Sequence, residues 1–125
     1  MFSNFFSTAG GRSPLREIGV DKLAQFTGKA RLIDVRESYE FHGDLGHIAG
    51  AQLVPLATLA SVASAWDKED TYVLICRSGN RSAAAAMMMQ QMGFTDVINL
   101  RGGMLDYRSA GVEETFHLSV QTSQA

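Results

Sequence analysis

Four short apolar runs set the architecture of this chain. They are "ARLIDVR" at residues 30–36, "AQLVP" at 51–55, "TYVLIC" at 71–76 and "TDVINL" at 95–100. About 10–20 residues of helical spacing or turn formers separate one run from the next. Hairpin partners are joined by a few residues, whereas parallel strands need a crossover long enough for a helix. A run that is apolar on both of its faces belongs in a sheet covered on both sides. The pattern therefore predicts βαβ units and an α/β fold with a mainly parallel sheet. Ligands in such folds meet the carboxyl ends of the strands.

The segments between the runs fill in the helices. "IGVDKLAQFTGKA" reads as a brief extended piece, then a short helix with Asp21 as N-cap and Gly28 as its stop. Leu23 and Phe26 lie three apart on one face of it. "ESYEF" is a helical turn, and "HGDLGHIAGA" is a glycine-rich loop. "LATLASVASAW" carries Leu56, Leu59, Val62, Ala63 and Trp66 at helical spacing. "RSAAAAMMMQQM" is the strongest helix, expected to begin near Ser82 and stop at Gly93. Its alanines would let it lie close to the sheet, with methionines filling gaps. "RGGMLDYRSAG" reads as a loop with a short helix. Residues 1–14 read as a flexible leader and 113–125 as an unassigned tail, which leaves one domain at 15–112.

Composition narrows the function. Eleven basic residues against thirteen acidic ones give a net charge of −2, with no Lys/Arg block. No nucleic-acid partner is expected. No stretch approaches the roughly 18 apolar residues of a membrane span. No basic residue precedes Phe2, Phe5 and Phe6, so a cleaved signal peptide is not expected. A single cysteine makes no internal disulfide. The expectation is a soluble, cytoplasmic protein with no membrane partner.

That cysteine, Cys76, ends the strand "TYVLIC" and precedes the turn "RSGN" and Arg81. A strand-to-helix turn aims its main-chain N–H groups inward, and Gly79 lets it curl. The helix N-terminus adds partial positive charge, to which Arg77 and Arg81 add full charges. All of these favour thiolate over thiol. The expected result is a partly exposed nucleophile in an anion cradle. The competing reading is a structural cysteine buried at a strand end. Gly79 and two arginines within five residues favour the reactive reading.

The loop "CRSGNRS" resembles the active-site loop of the rhodanese family, sulfurtransferases that carry sulfane sulfur on a cysteine persulfide. "LIDVRESYEFHGDLGHIAGA" at 32–51, extended through Leu53–Pro55, is similar to the family's N-terminal signature. "VINLRGGM" at 97–104 resembles its C-terminal block. The likeness covers about residues 17–112, in the same order and with similar spacing. The loop before Gly46 is about two residues longer than the shortest family form. Asp106-Tyr107 stand where Ala-Trp is frequent.

The resemblance implies a three-layer α/β/α rhodanese-like domain with a five-stranded parallel sheet. It implies Cys76 as nucleophile, with the main-chain N–H groups of Arg77, Ser78, Gly79, Asn80 and Arg81 around the sulfur and its substrate. The implied partners are a small-molecule sulfur donor such as thiosulfate or a persulfide, a cyanide or thiol acceptor, and a protein sulfur acceptor. No cofactor and no metal are implied. The alternative within the family is a sulfur-relay or regulatory domain with little free turnover. The related loop of cysteine phosphatases has five residues between Cys and Arg; here there are four, and Ser82 stands where the arginine would be. The smaller ring favours a sulfur-sized group over phosphate.

The remaining polar residues are assigned lesser roles. Arg81 either holds an anionic substrate or braces the loop against a carboxylate, and bracing is preferred. Arg77, at the loop tip, is the better contact for thiosulfate. Asp34 and Arg36 lie at the end of another strand and read as a structural ion pair or a cap that supports the site. His47 reads as a hydrogen-bonded loop histidine, and His42 and His117 have no partner pattern. Three histidines and one cysteine are too scattered for a metal site.

Overall fold

A computed structural model describes residues 14–111. The expected leader, apart from Pro14, and the tail at 113–125, with Phe2, Phe5, Phe6 and His117, lie outside the described residues. Five strands form one parallel sheet: β1 (Arg16–Ile18), β2 (Arg31–Asp34), β3 (Gln52–Leu53), β4 (Thr71–Ile75) and β5 (Asp96–Leu100). Their order is β1-β5-β4-β2-β3. Four helices accompany them: α1 (Ser38–Phe41), α2 (Leu56–Ala63), α3 (Asn80–Gln91) and α4 (Gly103–Ser109). The sheet is the five-stranded parallel one expected.

Alternation along the strands builds two cores. Tyr72, Leu74 and Cys76 point to the face covered by α2 and α3, where they pack with Ile33, Leu59, Ala85, Ala86 and Met89. Val73 and Ile75 point the other way, toward Leu23, Ile98, Leu100, Met104 and Tyr107. Three layers result because a strand buried on both faces has no solvated side to offer. Ala85 and Ala86 are fully buried against the sheet, as helix packing at close range requires, and Met89 fills the space beside them.

Three local readings differ from expectation. The first helix is a 3₁₀ segment, Val20–Phe26, with Gly19 rather than Asp21 at its N-cap. A spacing of three between Leu23 and Phe26 suits three residues per turn. The strand expected over 51–55 shrinks to Gln52–Leu53. The long helix starts at Asn80, two residues before Ser82, because Gly79 turns the chain with φ 106°.

The connection after β2 leads outward to β3, and the connection after β4 leads the opposite way to β5. The carboxyl ends of β2 and β4 therefore flank the point where the winding reverses, which is where open α/β sheets leave a crevice. Cys76 follows β4, while Asp34 ends β2 and Arg36 lies two residues beyond it.

Candidate active site

The Cys76 loop is wound so that its donors face the sulfur and its carbonyls face away. The Gly79 N–H donates to Cys76 Sγ at 3.1 Å, and the Ser82 hydroxyl donates to it at 3.2 Å. Behind the loop, the N–H groups of Met104 and Leu105 donate to the Cys76 and Arg77 carbonyls at 2.9 and 3.0 Å. The first turn of α4 thus takes up the carbonyls that would otherwise compete for the interior. This close docking requires Gly103, whose φ is +54° and whose added Cβ would run into the Cys76 and Arg77 carbonyl oxygens.

Cys76 is only 1% exposed, so the expected partly exposed thiol is corrected to one at the floor of the loop. The loop lies against α4 on one side and α3 on the other, which closes over the side chain. Burial pushes the thiol up. Hydrogen bonds from the Ser82 hydroxyl and from the N–H groups of Ser82, Gly79 and Ser78 more than offset this, leaving it below its ordinary range. Of the five predicted cradle residues, Ser78 and Gly79 supply such donors. Ser82, one position beyond them, supplies two.

The two arginines part company. Arg77 is exposed and lines a cleft of ≈ 510 Å³ with Arg36, Tyr39, Glu40, Gly43, Asp44 and Leu45. Arg81 makes a two-pronged pair with Glu40, with both N···O distances at 2.8 Å. Asn80 is exposed at the start of α3. A more apolar cavity of ≈ 360 Å³ lies on the opposite side of the sheet, lined by residues such as Leu23, Leu32, Ile48 and Tyr107. None of its lining residues belongs to the Cys76 loop.

The Arg81 pair holds the Glu40 carboxyl at about 2, against an ordinary 4.5. Between those values the unfolded chain binds the proton more readily, so acid destabilises the fold there. The bracing energy is fully present above pH 4.5 and is lost as pH falls toward about 2. Arg81 is partly solvated, which keeps the pair to about 1 kcal/mol or less. Thermal melts should show Glu40→Gln below wild type at neutral pH, with the gap closing across that acid window. A gap that persisted at low pH would assign the effect to something other than this carboxylate.

Asp34 and Arg36 form a buried ion pair. Arg36 donates through Nε to Oδ1 at 2.9 Å and through Nη2 to Oδ2 at 2.7 Å. The same guanidinium reaches the carbonyls of Gly46 at 2.7 Å and Glu40 at 3.2 Å. It therefore fastens the loop over 37–46, which carries the Glu40 partner of Arg81. His47 Nδ1 donates to the Phe41 carbonyl at 2.9 Å, and its ring stacks on Phe41. The described residues hold no cluster of three or more His, Cys, Asp or Glu fit for a metal ion.

The site roles of Glu17, Glu40, Ser82, Asn99 and Gly103 are not read from the sequence. Asn99 left a signal, as the one polar residue in the run "VINL". Gly103 left one too, as the second of two glycines after a strand. Glu40 left none, because its partner lies 41 residues away.

The structure is a parallel α/β domain whose single described cysteine, buried at the sheet's carboxyl edge, faces main-chain and hydroxyl donors. Residues 20–110 match the family described as Rhodanese-like domain, and the chain belongs to that family. It is 41% identical over 75 residues to the Bacillus subtilis protein YqhL, covering 60% of this chain and 58% of that one. It is 34% identical over 86 residues to the thiosulfate sulfurtransferase GlpE of Pseudomonas aeruginosa, covering 69% of this chain and 76% of that one. The crystal structure of a rhodanese-related protein from Thermoplasma volcanium superposes with a TM-score of 0.69 at 29% identity, over 77% of this chain and 93% of that one. The chain thus spans less than two thirds of YqhL's length. No helix among the described residues is long and apolar enough to cross a membrane.

Proposed function

We propose that this chain is a sulfurtransferase that carries sulfane sulfur on Cys76, working through the domain at 15–112. The observation that carries this reading is the winding of the Cys76 loop, with N–H groups turned to the sulfur and carbonyls turned onto α4. A persulfide places its negative terminal sulfur in such a ring, where preorganised donors stabilise it without reorganisation.

In the first half-reaction the Cys76 thiolate attacks the outer sulfur of thiosulfate. A sulfur–sulfur bond forms to Sγ, the bond to the sulfonate sulfur breaks, and sulfite leaves with the electron pair. In the second, cyanide or a thiolate attacks the outer sulfur of the persulfide, and Sγ departs as thiolate. The acceptor leaves as thiocyanate or as a new persulfide. Two half-reactions through one covalent intermediate give ping-pong kinetics. Arg77, at the mouth of the cleft, is the contact assigned to an anionic donor. Arg81 is assigned to bracing, since Glu40 already occupies it. Cytoplasmic surroundings, which keep thiols reduced, suit the chemistry.

The test is thiocyanate formation from thiosulfate and cyanide, with mass spectrometry of the chain after donor alone. Turnover together with a gain of one sulfur atom at Cys76 is the expected result. Sulfur gain from a persulfide donor without thiocyanate turnover would replace it with the relay reading. Aryl-phosphate hydrolysis at a comparable rate would overturn both.

Gly103→Ala should separate loop geometry from the chemistry of the sulfur. The added methyl meets two carbonyls of the loop, and the positive φ is itself costly for alanine. Displacement of a nucleophile by about 1 Å lowers kcat by as much as about 10²-fold. Thiocyanate assays on the folded variant should show a loss of that order, whereas wild-type kcat would mean that α4 does not set the loop.

A further inference from the structure

Asn99 is a side-chain amide in a core that has no packing need for one. It is 1% exposed and shares the sheet face of Cys76, beside Leu74. A buried amide without partners costs about 1–3 kcal/mol. Here every polar group of it is used. Nδ2 donates to Glu17 Oε2 at 2.7 Å and to the Gly79 carbonyl at 3.2 Å, and Oδ1 accepts from Ser82 Oγ at 2.5 Å. Glu17 is the register partner of Asn99 on β1, so the sheet itself delivers the carboxylate.

Chemistry fixes which way the amide points. A carboxylate and a carbonyl only accept, so the NH₂ must face Glu17 and Gly79. Oδ1 is then forced toward Ser82. The Ser82 hydroxyl has one proton and two acceptors within reach, Oδ1 at 2.5 Å and Sγ at 3.2 Å. When Cys76 is a thiol, the chain of donors closes: S–H donates to Ser82, and Ser82 donates to Asn99. When Cys76 is a thiolate, Ser82 can turn its proton to sulfur only by leaving its oxygen and Asn99 Oδ1 in close contact without a proton between them.

We propose that Asn99, oriented by Glu17, is a positioning residue that draws the Ser82 proton away from Cys76 and thereby limits how far the thiolate is stabilised. The benefit is reactivity, because an over-stabilised thiolate is a poorer nucleophile. The other charged groups around the sulfur are Arg81 on α3 with its Glu40 partner on α1, Arg77 in the loop, and the Asp34–Arg36 pair after β2. The substitutions below leave all of them in place.

The inference deepens the sulfurtransferase reading but is tested without any sulfur donor, by iodoacetamide alkylation of Cys76 against pH. Asn99→Leu releases Ser82 to the sulfur, so the midpoint should fall by about one pH unit, a tenfold change in ionisation. The plateau rate should fall about threefold, because nucleophilicity declines with pKa. Ser82→Ala should move the midpoint up, and Asn99→Leu added to Ser82→Ala should change nothing further. Glu17→Leu, at an exposed strand position that does not endanger folding, should shift the midpoint down by less than Asn99→Leu does. An unchanged or raised midpoint in Asn99→Leu would overturn the proposal. So would the same downward shift in the Ser82→Ala background, or, should Asn99→Leu not fold, no shift in Glu17→Leu. A failed thiocyanate assay with these alkylation shifts intact would count against the sulfurtransferase reading alone.

Discussion

Cys76→Ser should leave no measurable sulfur transfer and no sulfur adduct, in a protein that melts close to wild type. The reason lies in what the loop can ionise. Its donors, the Gly79 N–H and the Ser82 hydroxyl, bring a thiol below its ordinary range, yet they already work against burial to do so. A serine hydroxyl is far weaker as an acid, so the same donors leave it neutral and non-nucleophilic. Even an ionised serine would not form the sulfur–sulfur bond that stores the transferred atom. Loss of a nucleophile removes on the order of 10³-fold or more of the rate. Thiocyanate production and intact mass after exposure to donor check both halves. Transfer that survived this substitution would move the sulfur-carrying step away from Cys76, and the reading of the loop would go with it.

Arg36→Met should be the most destabilising single change at the site. The methionine fills most of the arginine's space but leaves Asp34 as a fully buried, uncompensated carboxylate. Breaking a buried pair from one side costs about 3–5 kcal/mol. For a domain of this size that lowers Tm by more than about 10 °C. It also frees the Glu40 and Gly46 carbonyls and with them the loop that positions Glu40 against Arg81. Activity should therefore drop even below the melting range, with Cys76 intact. Replacing Asp34 by Asn in the same chain should recover part of the stability, because the stranded charge is then gone. Melting curves of the single and double variants check this. A single variant that melted within a few degrees of wild type would mean that the crevice solvates Asp34 and that the pair is not structural.

The two residues differ in how visible they were beforehand. Cys76 stood out from its immediate surroundings: an apolar strand before it, a glycine-bearing turn after it, then a run of helix formers. Asp34 and Arg36 are visible as two charges at a strand end, for which a structural ion pair or a cap is the preferred reading. The grip of Arg36 on Gly46 was not visible, because that contact depends on how the 37–46 loop folds back. Partial exposure of the sulfur was expected from the loop alone. Burial followed once α4 docked behind the loop through Gly103, a contact between segments that nothing local specifies.

The amino-acid sequence by itself determined the mainly parallel sheet, the crossover lengths and the position of the thiol at a strand end. These follow from apolar periodicity, turn chemistry and chain length, which act over a few residues at a time. The tertiary structure alone decided which groups surround the sulfur. Glu40 reaches Arg81, Met104 and Leu105 take the carbonyls of the loop, and Glu17 fixes Asn99 against Ser82. Each of these pairs joins residues far apart in the chain. They meet only because the β1-β5-β4-β2 order and its register bring them together, and register is a property of the packed sheet rather than of any one segment.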